Sequence, residues 1–180
     1  MNATTADQAL DTLGLHRGQW LLVTGAAGGV GLYAVELAKV RGLRVVAQAH
    51  AEDESLLREA GAEVFVSRDE DLVPTVRRLV PGGVDGAIDA ANLAAGAADA
   101  VAHGGAFVSL LNTAPMQRRE VTMTNMAWHT DPDRLAKLAA YAASGVISLR
   151  LAHTYPLDQV AEAQERLAAG GLRGRIVLVP

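Results

Sequence analysis

The chain has 180 residues, enough for one domain with a substantial core, and half of them are hydrophobic whereas 4% are aromatic. The net charge is −4 with acids and bases interspersed, which excludes the basic surface of a nucleic-acid-binding protein and the basic amphipathic helix of a membrane-surface protein. Cysteine is absent, which excludes disulfides, thiol catalysis and a thiolate zinc site within this chain, and the lack of a signal peptide or long apolar run predicts a cytoplasmic location without a membrane partner.

The first predicted elements are a helix and a buried strand. Thr4 and Thr5 carry the hydroxyls of helix N-caps, and the helix is expected to run to about Leu13, before Gly14. Residues 20–23 form a short apolar run, which is typical of a strand buried on both faces of a parallel sheet.

A glycine-rich turn follows this strand and leads into a helix of amphipathic spacing. A strand, a glycine turn and a helix in this order make a phosphate-binding site, because the first turn of the helix offers unpaired N–H groups at the positive end of its dipole. The expected cofactor contacts are Thr24, Ala26, Ala27, Gly28, Gly29, Val30 and Gly31. Ala26 stands where the G-x-G-x-x-G fingerprint has its first glycine, so a tight turn without a ligand is the alternative interpretation.

The middle of the chain alternates between strand and helix patterns. The helix after the glycine turn ends near Gly42. The elements predicted next are a strand over 44–49, a helix over 52–60, a strand over 63–66, a helix over 69–80 with Pro74 awkwardly placed unless it lies in the first turn, a strand over 84–90, a helix over 92–102, a strand over 106–111 and a loop over 112–119.

The last third continues this alternation. Its predicted elements are a strand over 120–126, a helix from Asp131-Pro132-Asp133 to about Ser144, a strand over 148–153, a helix over 157–169 and a strand over 174–179. The whole pattern predicts a single α/β domain over 1–180, a doubly wound parallel sheet of the Rossmann-like type with three layers. The ligand crevice is then expected at the strand ends, beside the glycine turn.

The end of the second strand bears on the choice of cofactor. An NAD-binding unit places an acidic residue there to bind the ribose hydroxyls, whereas this chain has Gln48 and Ala49, followed by His50. The missing carboxylate favours NADP, and His50 and Arg68 are the candidate partners of its 2′-phosphate. The alternatives are a solvated loop histidine and an exposed arginine at a helix start, and the acids at 52–54 weigh against NADP unless they belong to a helix.

Several stretches together resemble the zinc-free medium-chain dehydrogenases/reductases, in the quinone oxidoreductase-like branch. They are VTGAAGGVG at 23–31, TADQALD at 5–11, GVDGAID at 83–89, YPL at 155–157 and GRIVL at 174–178, which together cover nearly the whole chain. In that branch, alanine commonly stands where Ala26 does.

The resemblance implies further cofactor contacts at the ends of the fourth and fifth strands. The backbone of Ala90 and Asn92 would pass near the nicotinamide ribose, and Leu111 and Asn112 would lie near the nicotinamide. Asp89 is expected to cap the following helix or to bind a nearby backbone group rather than to act as a catalytic acid. No catalytic residue is identified, and no metal site is expected, because the five histidines lack metal-ligand spacing.

Members of this family carry an N-terminal barrel-like domain that supplies most of the substrate pocket, and this chain is expected to lack it. In the family, the segment over 148–180 packs toward that domain. Here we expect an apolar patch at this segment, buried in a homodimer or against a second chain that supplies the missing domain.

Two function hypotheses remain open. In the first, the chain is the NADP-binding portion of a quinone or enone reductase, which transfers a hydride to an electrophilic carbon of a small-molecule substrate. In the second, the fold has lost its redox role and serves as a small-ligand binding protein or a non-redox biosynthetic enzyme such as a cyclase or isomerase.

Overall fold

The computed structural model describes residues 1–116 and 120–180, which divide into two compact units, Met1–Ile147 and Ser148–Pro180. The second unit begins where the sequence analysis separates the C-terminal segment. The elements of the first unit are α1 (Asn2–Leu13), β1 (Trp20–Thr24), α2 (Gly31–Val40), β2 (Arg44–Ala49), α3 (Glu54–Ala60), β3 (Ala62–Ser67), α4 (Leu72–Leu79), β4 (Val84–Asp89), α5 (Ala95–Ala98), β5 (Val101–Ser109), β6 (Thr122–Asn125) and α6 (Pro132–Ala143).

The first unit is built on a parallel six-stranded sheet in the order β3-β2-β1-β4-β5-β6. The strand order reverses beside β1, because β2 pairs on one side of it and β4 on the other. In doubly wound folds the ligand crevice lies at this reversal, outside the carboxyl ends of the strands. The predicted Rossmann-like α/β architecture is confirmed.

Apolar side chains cover both faces of the sheet, as three layers require. On one face Leu21 and Val23 of β1 pack with helices α1, α2 and α3, and on the other face Leu22 packs with α4 and α5. This alternation follows from the two-residue period of a strand, which sends successive side chains to opposite faces. Both faces are buried, so β1 reads as a continuous apolar run.

The fifth strand and the helix before it differ from the sequence prediction. The helix expected over 92–102 is reduced to the four residues of α5, because Asn92 and Ala94 have φ values of 60° and 49°, which do not continue a helix. β5 begins at Val101 rather than at Ala106, and its register against β4 shifts between Val101 and Ala106. The loop expected over 112–119 is described as far as Met116, and residues 117–119 lie outside the described part of the chain.

Other boundaries move by a few residues. The first helix starts at Asn2, so Thr4 and Thr5 are not its N-caps, and their hydroxyls instead donate to the carbonyl of Met1. α4 begins at Leu72, which places Pro74 in its first turn, where the missing N–H costs nothing. Residues 51–53 form a 3-10 turn before α3. Two of the three acids at 52–54, Glu52 and Asp53, therefore lie in this turn, and the third, Glu54, is the first residue of α3.

The second unit contains β7 (Leu151–Pro156), α7 (Val160–Ala168) and β8 (Arg175–Val179), with a 3-10 turn at Leu157–Gln159. The two strands pair in parallel, and β7 starts and ends three residues later than predicted. Leu149, Leu157 and Leu167 each expose more than half of their surface. Within the described residues, the model contains no helix that is both long enough and apolar enough to span a bilayer.

A charge cluster ties α1 to α2 and α6. The Asp7 side chain is 1% exposed, and it accepts hydrogen bonds from Arg41 (2.5 Å), Arg134 (2.5 Å) and Lys137 (2.7 Å). Asp11, one turn later, contacts the same two arginines, each at 2.7 Å. Burial by itself would raise the pKa of Asp7, but the hydrogen bonds and charges of Lys137 and Arg41 together hold this pKa below its ordinary value.

Replacing Asp7→Asn should lower the free energy of unfolding by about 2–3 kcal/mol. Breaking a fully buried ion pair costs ~3–5 kcal/mol, and the cost is smaller here because the cations around Asp7 are partly exposed to water. Since the folded-state pKa lies below the unfolded one, the wild-type contribution is present above roughly pH 4 and is lost as the pH falls further. Urea denaturation of both proteins between about pH 3 and 7 measures this difference. Asp11→Asn, at a half-exposed carboxylate, should cost less, and an equal cost would contradict the assignment.

Candidate functional site

The turn between β1 and α2 brings backbone N–H groups to the carboxyl edge of the sheet. Gly25 has a φ of +58°, which turns the chain sharply after β1, and the Ala26 N–H donates to the carbonyl of Gln48 at the end of β2 (2.9 Å). Leu32 is the first amide of α2 to bond back into the turn, to the carbonyl of Gly28 (3.2 Å). The amides just before it belong to the N-terminal donors that lack an intrahelical acceptor, which is the arrangement that binds anions.

Two glycines of this turn have different roles. A Cβ built at Gly31 would overlap the carbonyl oxygen of Gly25 and lie 2.8 Å from the Ala26 Cα, so this glycine permits the close packing of α2 on β1. A Cβ at Gly28 would approach only the Gly25 oxygen, at 3.1 Å. The space over Gly28 is therefore open to a ligand, as expected of a glycine that lets a phosphate reach the backbone.

An open cavity of about 300 Å³ lies against the glycine turn. Residues from three neighbouring parts of the first unit line it: Asn2 and Thr5 of α1, Gly25, Gly28, Gly29, Val30 and Gly31 of the turn, and Ala90, Leu110 and Leu111 after β4 and β5. Of the predicted contacts, Gly28, Gly29, Val30, Gly31, Ala90 and Leu111 lie on this cavity. The open backbone at Gly28 fits the phosphates of a dinucleotide, and the apolar side chains of Leu110 and Leu111 fit its nicotinamide ring.

Sequence reasoning missed Asn2, Thr5 and Leu110 as lining residues. The side chain of Asn2 lies where a Cβ on Gly29 would meet its amide nitrogen at 2.6 Å, so the start of α1 borders the turn directly. α1 is separated from the turn in sequence, and its position follows from packing on the sheet. No local motif marks Asn2 or Thr5.

Three predicted contacts are buried and do not line the cavity. Thr24 and Ala26 are 0% exposed and Ala27 is 6% exposed. The Thr24 hydroxyl donates to the carboxylate of Asp89 (2.6 Å), which is itself fully buried. Thr24 therefore does not line the cavity, and it contacts Asp89 and the amide of the cavity-lining Ala90.

The two candidate phosphate partners meet on the other side of the turn. His50 follows β2 and Arg68 follows β3, and the Arg68 Nη1 lies 2.7 Å from the His50 Nε2. An arginine can only donate, so in this contact the His50 Nε2 is the acceptor. Both side chains are exposed, which leaves the remaining guanidinium N–H groups free to face solvent or a ligand.

The remaining predicted contacts, Asn92 and Asn112, lie in exposed loops after β4 and β5 and do not line the cavity. Both adopt left-handed backbone conformations, with φ values of 60° and 58°. Asp89 accepts hydrogen bonds from the amides of Leu93 (3.1 Å) and Ala94 (2.8 Å). The expectation that Asp89 binds nearby backbone groups is confirmed.

Residues 60–178 match the family profile described as zinc-binding dehydrogenase. The chain belongs to this family. It is a cofactor-binding domain of the medium-chain dehydrogenase/reductase type, and membership implies a nicotinamide cofactor. The zinc-free, quinone oxidoreductase-like branch is more specific than this family match, and it stays a prediction.

Known relatives of this dehydrogenase domain agree in fold and sequence. Alcohol dehydrogenase 2 of Caenorhabditis elegans is 38% identical over 86 residues, which cover 47% of this chain and 24% of that enzyme. The crystal structure of AibC matches 99% of this chain and 58% of its own, with a TM-score of 0.88 and 32% identity. A NAD-dependent alcohol dehydrogenase matches 99% of this chain and 56% of its own, with a TM-score of 0.85 and 27% identity. The chain thus spans a quarter to somewhat over half of these relatives.

The residues of this dehydrogenase domain do not fit a zinc ion, despite the family's description. The chain has no cysteine, and within residues 1–116 and 120–180 no three histidine, aspartate or glutamate side chains are grouped closely enough to hold a metal. We therefore assign no zinc ligand to it.

Replacing Gly31→Ala should lower the free energy of unfolding by roughly 2 kcal/mol or more, because the new methyl overlaps backbone atoms that cannot move aside. Gly28→Ala should stay within about 1 kcal/mol of the wild type, because its Cβ meets one carbonyl at an adjustable distance. Thermal or urea unfolding of the two variants side by side checks the difference. Equal losses would contradict the separation of packing from ligand approach.

Proposed function

We propose that this chain is the NADP-binding portion of an oxidoreductase that passes a hydride from the nicotinamide to an electrophilic carbon of a quinone or an enone. The observation that carries the proposal is the open backbone at Gly28, where the N-terminal turn of α2 borders a cavity of about 300 Å³. A pyrophosphate placed there accepts hydrogen bonds from backbone amides and lies at the positive end of the helix dipole.

The side chains after β2 and β3 support NADP over NAD. Arg68 brings a full positive charge, and its contact with His50 holds the two side chains together as one donor group. Two of the nearby acids have partners of their own: Glu54 binds Arg58 at 3.0 Å, and the Glu70 carboxylate accepts the Ser67 N–H at 3.1 Å. Arg68 is thus the cation of this loop pair that is available to a 2′-phosphate.

The cofactor supplies the hydride chemistry when it is bound, and this chain positions it. The glycine turn binds the phosphates, and Leu110 and Leu111 offer an apolar surface at the β5 side of the cavity. The quinone or enone substrate class follows from the resemblance of the glycine turn and the strand ends to the quinone oxidoreductase-like branch. A homodimer or a second chain that completes the substrate pocket stays a prediction.

Calorimetric titration with NADPH and NADH should show binding of both, with NADPH the tighter ligand. One solved relative is named as a NAD-dependent enzyme, so both cofactors are compared. Gly28→Asp should abolish binding, because its carboxylate would repel the pyrophosphate, and circular dichroism should show that it stays folded. Absence of heat with either cofactor on the wild type would favour the redox-inactive alternative, and unchanged binding by Gly28→Asp would place the site elsewhere.

Arg68→Gln should weaken NADPH binding by roughly ten- to a hundredfold and leave NADH binding unchanged, since a charge-assisted hydrogen bond contributes about 1.5–3 kcal/mol. Arg58→Gln is the matched control, because Arg58 is an exposed arginine already paired with Glu54. The dissociation constants of both cofactors measure the effect. If Arg68→Gln weakened NADH as much as NADPH, Arg68 would not be a 2′-phosphate partner.

A further inference from the structure

Four adjacent strands end in polar residues that pair in register across the carboxyl edge of the sheet. Thr24 of β1 pairs with Asp89 of β4, Asp89 with Ser109 of β5, and Ser109 with Asn125 of β6. We call these four residues the strand-end row. Thr24, Asp89 and Ser109 are 0% exposed, and buried polar groups are costly unless they are hydrogen-bonded.

The first two members of the row hold the loop after β4. The Thr24 hydroxyl donates to Asp89 (2.6 Å) and accepts from the amides of Ala90 (3.1 Å) and Ala91 (3.2 Å). Asp89 accepts from Leu93 and Ala94. Each of these four loop amides thus donates to a buried side chain of the row. The loop whose Ala90 lines the cavity is therefore held in place by Thr24 and Asp89.

The other two members hold the loop after β5 in the same way. The Ser109 hydroxyl accepts from the amides of Leu111 (3.3 Å) and Thr113 (3.1 Å), and the Asn125 side-chain oxygen accepts from the amide of Ala114 (2.9 Å). Leu110 and Leu111 of this loop line the cavity. The row thus anchors both loops that line the cavity after β4 and β5.

Both loops are held in conformations that a chain without these anchors would leave. Asn92, Ala94 and Asn112 have positive φ values, and Ala94 combines a φ of 49° with a ψ of −114°. Positive φ at residues other than glycine is strained backbone. The hydrogen bonds to the row offset this strain and select one loop shape.

We propose that the strand-end row is a positioning device for the nicotinamide half of the dinucleotide, with Thr24 as its central positioning residue. This inference rests on the proposed function. Thr24 is buried and does not line the cavity, so it acts through the loop of Ala90, whose amide it binds. The row lies on the β1, β4, β5 and β6 side of the glycine turn, whereas His50 and Arg68 lie on the β2 and β3 side. Loss of the Thr24 hydroxyl therefore affects the two halves of the cofactor unequally.

The test compares two probes by calorimetry: NADPH and adenosine 2′,5′-bisphosphate, which is the adenosine half of NADPH. Thr24→Val, which keeps the shape and removes the hydroxyl, should weaken NADPH by about tenfold or more and leave adenosine bisphosphate unchanged, because several loop hydrogen bonds lose their acceptor. Thr24→Ser should restore NADPH binding. Thr75→Val is the matched control, since Thr75 is a buried threonine on α4 whose hydroxyl faces Glu70, and both probes should bind it as they bind the wild type.

Ser109→Ala provides a second route, because it removes the anchor of the β5 loop. It should show the same selective loss of NADPH and keeps the proposal testable if Thr24→Val does not fold. Equal weakening of both probes, or unchanged NADPH binding, by a folded variant would overturn the positioning role. If the wild type bound neither probe, the proposed function itself would be overturned, and the positioning role with it.

Discussion

The site depends on how closely the N-terminus of α2 approaches the end of β1. At Gly31 the helix passes so near the Gly25 carbonyl that no side chain fits between them, and Gly25 itself turns the chain in a left-handed conformation. This contact aims the first amides of α2 at the carboxyl edge of the sheet, at the point where the strand order reverses. Gly28 then leaves those amides open to a ligand. The cavity and the proposed phosphate site both depend on this one packing contact.

The two sides of the glycine turn use different physical devices. On the β2 and β3 side, the exposed side chains of Arg68 and His50 meet in loops, where they are the proposed partners of a 2′-phosphate. On the β4 and β5 side, buried polar side chains bind backbone amides and give strained loops one shape. A third device acts at a distance, since the Asp7 cluster ties α1 to α2 and α6, and the first residues of α1 line the cavity. Stability and site geometry are thereby linked through one helix.

The reliable sequence predictions came from strong local patterns. β2 was predicted with its observed bounds, 44–49, because a buried apolar run between Gly42 and a polar loop has one interpretation. The alanine-rich stretch over 92–102 was misread as a helix. Its residues favour a helix locally, but Asp89 captures the amides of Leu93 and Ala94 and holds the chain outside helical geometry until Ala95. Tertiary hydrogen bonds there override intrinsic propensity.

The sequence by itself determined the class of fold and the glycine turn between β1 and α2, because both follow from spacing: alternating strand and helix periods, and glycines placed between a strand and a helix. It also named His50 and Arg68 as candidates from the absence of an acid after β2. Only the tertiary structure decided that these two side chains touch, that Asn2 and Thr5 border the cavity, and that Thr24 supports the site from behind. Those relations join residues from 18 positions apart (His50 and Arg68) to 109 positions apart (Asn2 and Leu111), and they are set by strand register and helix packing, which no local pattern encodes.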